Sequence, residues 1–491
     1  MEFKMPKDLL KRSPDIETMV PYWDKVEALL KGYDAVKASG ELFLHRFPNE
    51  TNDDYDLRLD KTKLTNVFRD VIEGLASKPF QDEVTVVRGD DAENKEVPDY
   101  VKDFVENVDG AGNNLTAFSA LTFFNGIGYG IDWIMVDYPN VRNAEGISVT
   151  EAKSLSIKPY WVHILGKNVL KVKTTMEGSK EKLTYFRYRE PAYIGESERV
   201  RIYSLVENKV YWELYEEPEK KEEDWILIDK GIMSIDEIPI VPFIVGRRNG
   251  STWELYPPMR DTVDLQMVLY ENESALEYIK MLACYPMLAT NGAPPPKDAK
   301  GERAKIAVGP NRVLYGLQTQ DGKGGDWKYV EPNANSLEFL QKNIDKTKQD
   351  LRELGRQPLT ALSSQLTNVT TAIAAGKAKS AVTAWVYALK DCLENALLLT
   401  VKWMGKTEYE PQVNIYTGFD NVTDDGSDIA ELGKARERGD ISRETYWTEL
   451  KRRKVLSAEF NSEAELKRLL DEIPSENGPD IDNNFNQEEN T

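Results

Sequence analysis

The sequence predicts an α+β protein of more than one domain, and three observations predict it. Residues 158–246 alternate apolar and polar at period two in six short runs divided by turn residues, the signature of antiparallel strands. On both sides of that block, apolar residues recur at steps of three and four, the signature of helices. The chain has 491 residues, 41% of them hydrophobic and 30% charged, enough for a large core and two or three domains.

Residues 16–44 read as helical, with Val20, Trp23, Val26 and Leu30 at helical spacing around Pro21. After the polar turn NETNDDY, a helix is predicted over 55–77, with Leu57, Leu64, Val67, Phe68, Val71 and Leu75 on one side, ended by Lys78-Pro79. EVTVVR is a short strand, 100–108 and 115–124 are helices, and IDWIMVDY is a buried strand ended by Pro139. KPYWVHIL, VLKVKTT, LTYFRYRE, RVRIYSLV, KVYWELYEE and WILIDKG form one antiparallel meander, followed by an apolar strand at 238–245 and a turn at RRNG.

Residues 257–355 then read as helix, insert, helix. Pro257-Pro258 open a helix with Leu265, Val268, Leu269, Leu276, Ile279 and Leu282 as its stripe, and Pro286 stops it. The insert is rich in Gly and Pro, with AKIAVG, NRVLYGL and WKYVE as strand candidates. After Pro332, Leu337, Leu340, Ile344, Thr347, Leu351 and Leu354 make a heptad seam suited to a neighbouring helix. Residues 359–379 are small and polar and suit a mobile loop, whereas 380–404 form a strongly apolar helix with Trp385, Leu389, Leu393 and Leu397. PQVNIYT is a lone strand, 428–471 are helical and highly charged, and the last residues have the composition of a disordered tail.

Lys and Arg total 63 against 83 Asp and Glu, a net charge of −20. This argues against a surface that grips nucleic acid, since such grip rests on a basic face that neutralises phosphates. It leaves room for a channel that DNA slides past, or simply for an acidic, soluble protein. No run of about 18 apolar residues predicts a membrane helix, and the charged N-terminus is not a signal peptide. Cys284 and Cys392 lie in apolar helical patterns and read as buried thiols of a reducing compartment rather than a disulfide. His45 and His163 have no neighbouring motif and read as structural.

Several motifs invite a chemical reading. GIGYG at 126–130 looks like a nucleotide loop, but it follows a helix and opens a strand, the reverse of a dinucleotide fingerprint, and reads as a flexible turn. DGKGG at 321–325 lacks P-loop spacing. Asp53, Asp54, Asp56 and Asp60 are either a cation site or acids favoured near a helix N-terminus. Asp424, Asp425 and Asp428 lack the bidentate acid of an EF-hand. Tyr211-Trp212 suit strand packing better than base stacking. Lys342, Lys346, Lys348, Arg352 and Arg356 are either solvated helix surface or contacts to another subunit or to phosphate. No nucleophile, base and oxyanion donor assemble, so no catalytic centre, metal or cofactor is expected.

The order of these elements resembles the portal proteins, or head-to-tail connectors, of tailed double-stranded DNA bacteriophages. RFPNETNDDYDLRL, GIDWIMVDYP, the helix PPMRDTVDLQMVLYENESALEYIKMLACYPML, WKYVEPNANSLEFLQKNIDKTKQDLRELG and GDISRETYWTELKRRKVL carry the likeness, over about residues 20–470. The resemblance implies a wing (1–255), stem helix 1 (256–285), a small α/β clip (286–335), stem helix 2 (336–356) and a tunnel loop (357–380). A long helix and a strand returning to the wing (381–424), a helical crown (425–473) and a tail (474–491) would follow. It implies a homo-oligomeric ring, typically of twelve, at one capsid vertex of the virion, made in the bacterial cytoplasm. Double-stranded DNA would pass through it without sequence specificity during packaging and ejection. The partners implied are the terminase large subunit, head-completion or adaptor and tail proteins, and the major capsid and scaffold proteins, with no membrane. Gln365, Asn368, Thr370, Lys377 and Lys379 would face DNA, the stem cations would meet neighbours or phosphate, and Lys323 and Lys328 would meet terminase or adaptor. A non-channel virion scaffold would lack a central hole in images, and a metal-dependent hydrolase would lose turnover when Asp53 or Asp56 is changed.

Overall fold

The computed structural model of the chain describes residues 8–48, 50–88, 97–139, 158–190, 197–218, 224–284, 287–291, 297, 301, 313–316, 326–330, 334–355, 368–406, 409–417, 427–452, 455–456 and 460–472. They fall into two units, Met1–Phe419 and Asp420–Thr491. The first opens with helices α1 (Pro14–Glu17), α2 (Val20–Lys31) and α3 (Tyr33–Ala38). Pro21 is tolerated in the first turn of α2, where the missing N–H has no helical partner anyway, and Gly32 at φ +95° ends the helix. Tyr22, Trp23, Val26 and Leu29 are its buried face.

The single helix predicted over 55–77 is two, α4 (Asn52–Lys61) and α5 (Val67–Ala76). Thr51 caps the first through the Asp54 N–H, and Asn66 caps the second through the Arg69 N–H. Between them Thr62 turns extended and bonds its hydroxyl back to the Arg58 carbonyl, a local bond that competes with helix continuation. Strand β1 (Thr85–Arg88) and helices α6 (Asp99–Val105) and α7 (Leu115–Tyr129) follow. The glycine motif is not a loop. Gly126 and Gly128 lie inside α7, and Gly130 alone makes the turn, in the left-handed region at φ +84°. A Cβ on Gly126 would sit 2.3 Å from the Phe243 ring, so this glycine is there for close packing.

Next come β2 (Ile131–Asp137), β3 (Tyr160–Leu165), β4 (Val169–Glu177), β5 (Lys180–Glu190), β6 (Arg199–Val206), β7 (Lys209–Glu216), β8 (Ile226–Ile232) and β9 (Ile240–Ile244). The expected six-stranded meander is corrected to five strands, β4 to β8 in sequence order, all antiparallel. β3 instead pairs with β2, which lies between β3 and β9 in a separate antiparallel sheet. Trp161 explains the switch. Its ring is wedged edge-on against Phe104 and Phe118, which the meander could not supply. β2 is buried on both faces, hence its apolar run, broken only by Asp132. Trp133 and Met135 face the meander at Phe186, Tyr188 and Tyr203, and Asp132 turns the other way to Asn125 of α7.

Arg247–Arg248, expected as turn, form β10 and pair with β11 (Leu255–Tyr256). Helix α8 (Arg260–Cys284) leads into β12 (Met287–Asn291), β13 (Val313–Gly316) and β14 (Asp326–Val330), and α9 (Ala334–Leu354) follows. The AKIAVG strand candidate lies outside the described residues. Helix α10 (Asn368–Trp403) begins well before the expected residue 380. The latter part of the expected tunnel loop is therefore helical, in keeping with the alanine-rich run TTAIAAGKAKSA and alanine's leading helix propensity. α10 packs on β9, β2 and α7, and β15 (Pro411–Asn414) pairs antiparallel with β1. The second unit holds α11 (Ser427–Glu437), α12 (Arg443–Arg452) and α13 (Ser462–Glu472), with Trp447 edge-on to Phe460. The C-terminal tail predicted from 474 lies outside the described residues.

Candidate functional site

The feature that sets this fold apart is the hairpin of α8 and α9 with the small sheet at its end. At 1.5 Å per residue, the 25 residues of α8 span about 37 Å and the 21 of α9 about 31 Å. In the sequence β12 follows α8 and β14 precedes α9, and β12 is central, antiparallel to β14 and parallel to β13. The heptad reading of α9 finds its partner in the same chain. Ile344, Thr347 and Leu351 are buried, α8 and α5 are the helices they meet, and Leu354 is already exposed. Gly355 follows, where a Cβ would be 2.5 Å from Val71 of α5.

α8 is anchored to the N-terminal helices by side chains that interrupt its apolar stripe. Gln266 is fully buried, accepting the Phe68 N–H at 3.0 Å and donating to the Thr65 carbonyl at 3.0 Å. Glu273 accepts the Thr65 N–H at 3.1 Å and holds Lys348 of α9 at 2.9 Å. Side chains of α8 thus satisfy the backbone groups exposed by the break between α4 and α5, as buried peptide groups require. Replacing Gln266 with methionine leaves both backbone groups without this partner. Urea denaturation of that variant is expected to show a loss of about 1–3 kcal/mol.

The centre of the anchor is Arg58. Its guanidinium forms an ion pair with Glu50, at 2.7 Å to each carboxylate oxygen, with side chains 2% and 4% exposed. It also donates to the His45 carbonyl and the Ser274 hydroxyl, and it lies 4.1 Å over the Phe47 ring. Burial pushes the Glu50 carboxyl up, but its bonds to Arg58 and the Phe47 N–H outweigh that and hold it below the usual carboxylate range. His45 pairs with Glu271 on the surface of α8.

A second polar cluster lies under β2. Asp132 is fully buried, 3.2 Å from His163 Nδ1 and 3.3 Å from the Asn125 amide, and His163 stacks on Phe118 at 3.9 Å. Burial raises the Asp132 carboxyl, and the His163 and Asn125 contacts offset this only in part. Nearby, Cys392 is buried with a free thiol that burial pushes up, so it is no thiolate nucleophile.

The structure scatters the residues singled out in the sequence. Lys342 and Lys346 are exposed on α9, Arg352 is half-buried, and Lys348 turns inward to Glu273. Lys328 is exposed on β14. Asn368, Thr370, Lys377 and Lys379 fall on the first turns of α10, and their side chains lie outside the description, as do Gln365, Arg356 and Lys323 altogether. The acidic cluster at 53–60 is dispersed: Asp54 bonds the Thr51 cap and Asp60 pairs with Lys37. Among the described residues, no three His, Cys, Asp or Glu side chains come together as a metal site. Asp424 and Asp425 and the Cys284 side chain lie outside the description, and no described helix is long and apolar enough to cross a membrane. Sequence reading missed Arg58, Glu50, Gln266 and Glu273. For Gln266 and Glu273 the available signal was polar residues within the apolar stripe of α8.

The segment that matches a family model is this same hairpin with the long helix after it. Residues 258–404 match a domain of unknown function, DUF4055. Three solved structures are similar in backbone. A chain in the virion of a native gene transfer agent particle has a TM-score of 0.38 and 12% identity, covering 90% of this chain and 99% of that one. A chain in the neck of the native particle scores 0.42 at 12% identity, with coverage of 84% and 98%. One in the neck of the empty particle scores 0.42 at 13% identity, with coverage of 90% and 98%. No curated protein matches the chain in sequence.

Proposed function

We propose that the chain is a portal subunit, one copy of a closed ring through which double-stranded DNA enters and leaves a phage capsid at one vertex. The observation that carries the reading is the hairpin of two long helices capped by a small sheet and followed by the long helix α10. It stands in the chain where the ordered sequence resemblance puts stem, clip and long helix. In this reading α8 and α9 are the wall, β12 to β14 are the surface offered to terminase and then to adaptor and tail proteins, and the second unit is the crown. The chain is a conduit for another protein's motor and has no catalytic centre of its own.

The chemistry of the hairpin supports this. Its polar anchor fixes α8 to the body, as a wall that bears load needs. Arg260, Asp261, Asp264 and Val268 on α8 are exposed, as are Phe339, Lys342 and Lys346 on α9. Phe339 is 75% exposed and offers an apolar ring that a neighbour in a ring would bury. Different faces of one chain meeting head to tail make a contact that can close into a ring. The net charge of −20, with a few lysines on the wall, suits DNA that must slide rather than bind.

Imaging of the chain assembled with its coat and scaffold proteins tests the reading. The expected result is a ring with a central hole at a single vertex, and smaller non-ring species for K342E/K346E with an unchanged melting temperature. Particles without a hole, or label spread over the whole shell, would sink it.

A further inference from the structure

The buried polar cluster under β2 is short of compensation. The Asp132 side chain is 0% exposed, and its side-chain partners all meet one oxygen: His163 Nδ1 at 3.2 Å and the Asn125 amide at 3.3 Å both lie on Oδ2. Oδ1 has no hydrogen-bond partner among the described residues, and neither has His163 Nε2. An ionised carboxylate has about four lone-pair sites and makes its charge-assisted bonds at about 2.7–2.9 Å. Two longer contacts on a single oxygen leave a charged Asp132 poorly held, and a buried charge without such support takes up a proton instead.

The surroundings supply no other cation. Among the described residues Asp132 forms no ion pair with a lysine or arginine. The neighbouring strand β9, Ile240–Ile244, carries no titratable side chain. From α7 the titratable group facing Asp132 is Tyr129, and from α10 it is Cys392. Burial pushes both up, with Glu27 and Asp132 adding for the phenol and Asp132 and Asp391 for the thiol, so both stay neutral. Asp391 itself is exposed, and Tyr160 of β3 bonds Asp137 instead. Burial outweighs the His163, Asn125 and Trp133 N–H contacts and holds the Asp132 carboxyl above its ordinary value. Four elements join at this point. Asp132 is on β2, His163 on β3 is stacked on Phe118 of α7, and Trp161 of β3 donates its Nε1–H to Thr400 Oγ1 of α10 at 2.8 Å.

We propose that Asp132 and His163 form a proton-operated latch at this junction. With one proton on the pair, the site is neutral overall and β2, β3, α7 and α10 close on one another. When that proton leaves, a bare carboxylate stays in the core and the junction opens more often. The proton belongs to the pair rather than to either residue, because the two groups are in contact. The folded value of Asp132 is raised, so the stability it contributes is fully present below the unfolded carboxylate range, about pH 3.9, and is lost as pH rises through the higher folded value. The latch therefore tightens in acid, whereas the Glu50–Arg58 pair weakens there. Neither the hairpin nor a ring enters, so the latch stands apart from the portal reading.

Cys392 reports the opening, because its thiol is free and buried within reach of the Asp132 charge. In the full chain carrying Cys284→Ser, which leaves Cys392 as the only thiol, its labelling by an aromatic disulfide reagent is followed from about pH 5 to about pH 8. Each rate is divided by that of the urea-unfolded chain at the same pH, which removes the thiol's own pH dependence. With Asp132 in place the relative rate is expected to rise about tenfold towards the alkaline end. Asp132→Asn, whose amide resembles the protonated acid, is expected to give a flat profile. His163→Leu removes a contact that favours the charged form, so its rise is expected at higher pH. A flat profile with Asp132 in place, or an equal rise in Asp132→Asn, would overturn the proposal. So would a rise in His163→Leu at the same or a lower pH. Should Asp132→Asn show no melting transition, the profiles of the natural pair and of His163→Leu decide the matter. Ring assembly is read separately by imaging, so a failure here leaves the portal reading standing, and the reverse holds.

Discussion

Arg58→Ala is expected to cost about 3–5 kcal/mol of unfolding free energy at neutral pH, read as a fall in the urea midpoint. The size comes from what the truncation leaves behind. Glu50 stays buried with its cation gone, the His45 carbonyl and Ser274 hydroxyl each lose a donor, and the Phe47 ring loses the group stacked on it. A surface ion pair would be worth under about 1 kcal/mol, so the burial of this one decides the magnitude. The pH dependence carries a sign. The Glu50 carboxyl is held below its ordinary value in the folded protein. Its contribution is therefore present above the unfolded carboxylate range, near pH 4.3, and is lost as pH falls through the lower folded value. The gap between the natural protein and the alanine variant should narrow as the medium is acidified below that range. A gap that stays constant down to acid pH would show that the pair is not the source.

Gly126→Val is expected to cost more than about 3 kcal/mol and to leave most of the protein insoluble, and Gly126→Ala to cost about 1–3 kcal/mol. Two effects oppose each other at this position. Alanine in a helix is favoured over glycine by about 1 kcal/mol. Against that, an added Cβ would meet Phe243 at 2.3 and 2.5 Å and Val245 at 3.0 Å. Phe243 is fully buried and stacked on Phe123 at 5.9 Å, so its ring has nowhere to go, and the clash outweighs the propensity. Thermal melting of the alanine variant measures the balance. A melting temperature at or above that of the natural protein would show that the helix and β9 can move apart freely.

How much was legible follows from where each signal's partner lies. The hairpin could be read because its punctuation is local: Pro257-Pro258 before α8, Pro286 after it and Pro332 before α9. The meander could be read because alternation is a property of each strand by itself. The assignment of 160–165 to the meander failed because alternation says which face is apolar but not which strand comes alongside. That was decided by Trp161 finding Phe104 and Phe118. The break at 62–66 failed for a related reason. The apolar period runs through it, and only capping by Asn66 and the bonds from Gln266 and Glu273 make two helices preferable to one. Asp132 inside IDWIMVDY was a visible anomaly, but its partners His163 and Asn125 were not inferable from spacing.

The sequence by itself determined the α+β class, the two long helices with their insert, the presence of a run of antiparallel strands over 158–246 and the acidic balance. These rest on periodicity, on Pro and Gly punctuation and on charge, which act between residues close along the chain. The tertiary structure alone decided that GIGYG is a packed helix end, that Arg58 is the buried pin of α8, and that β3 pairs with β2 rather than with the meander. Each depends on groups far apart along the chain being brought within bonding distance, such as Arg58 with Ser274 and Gly126 with Phe243. Burial strengthens or penalises such groups according to the company they keep, and that company is a property of the fold.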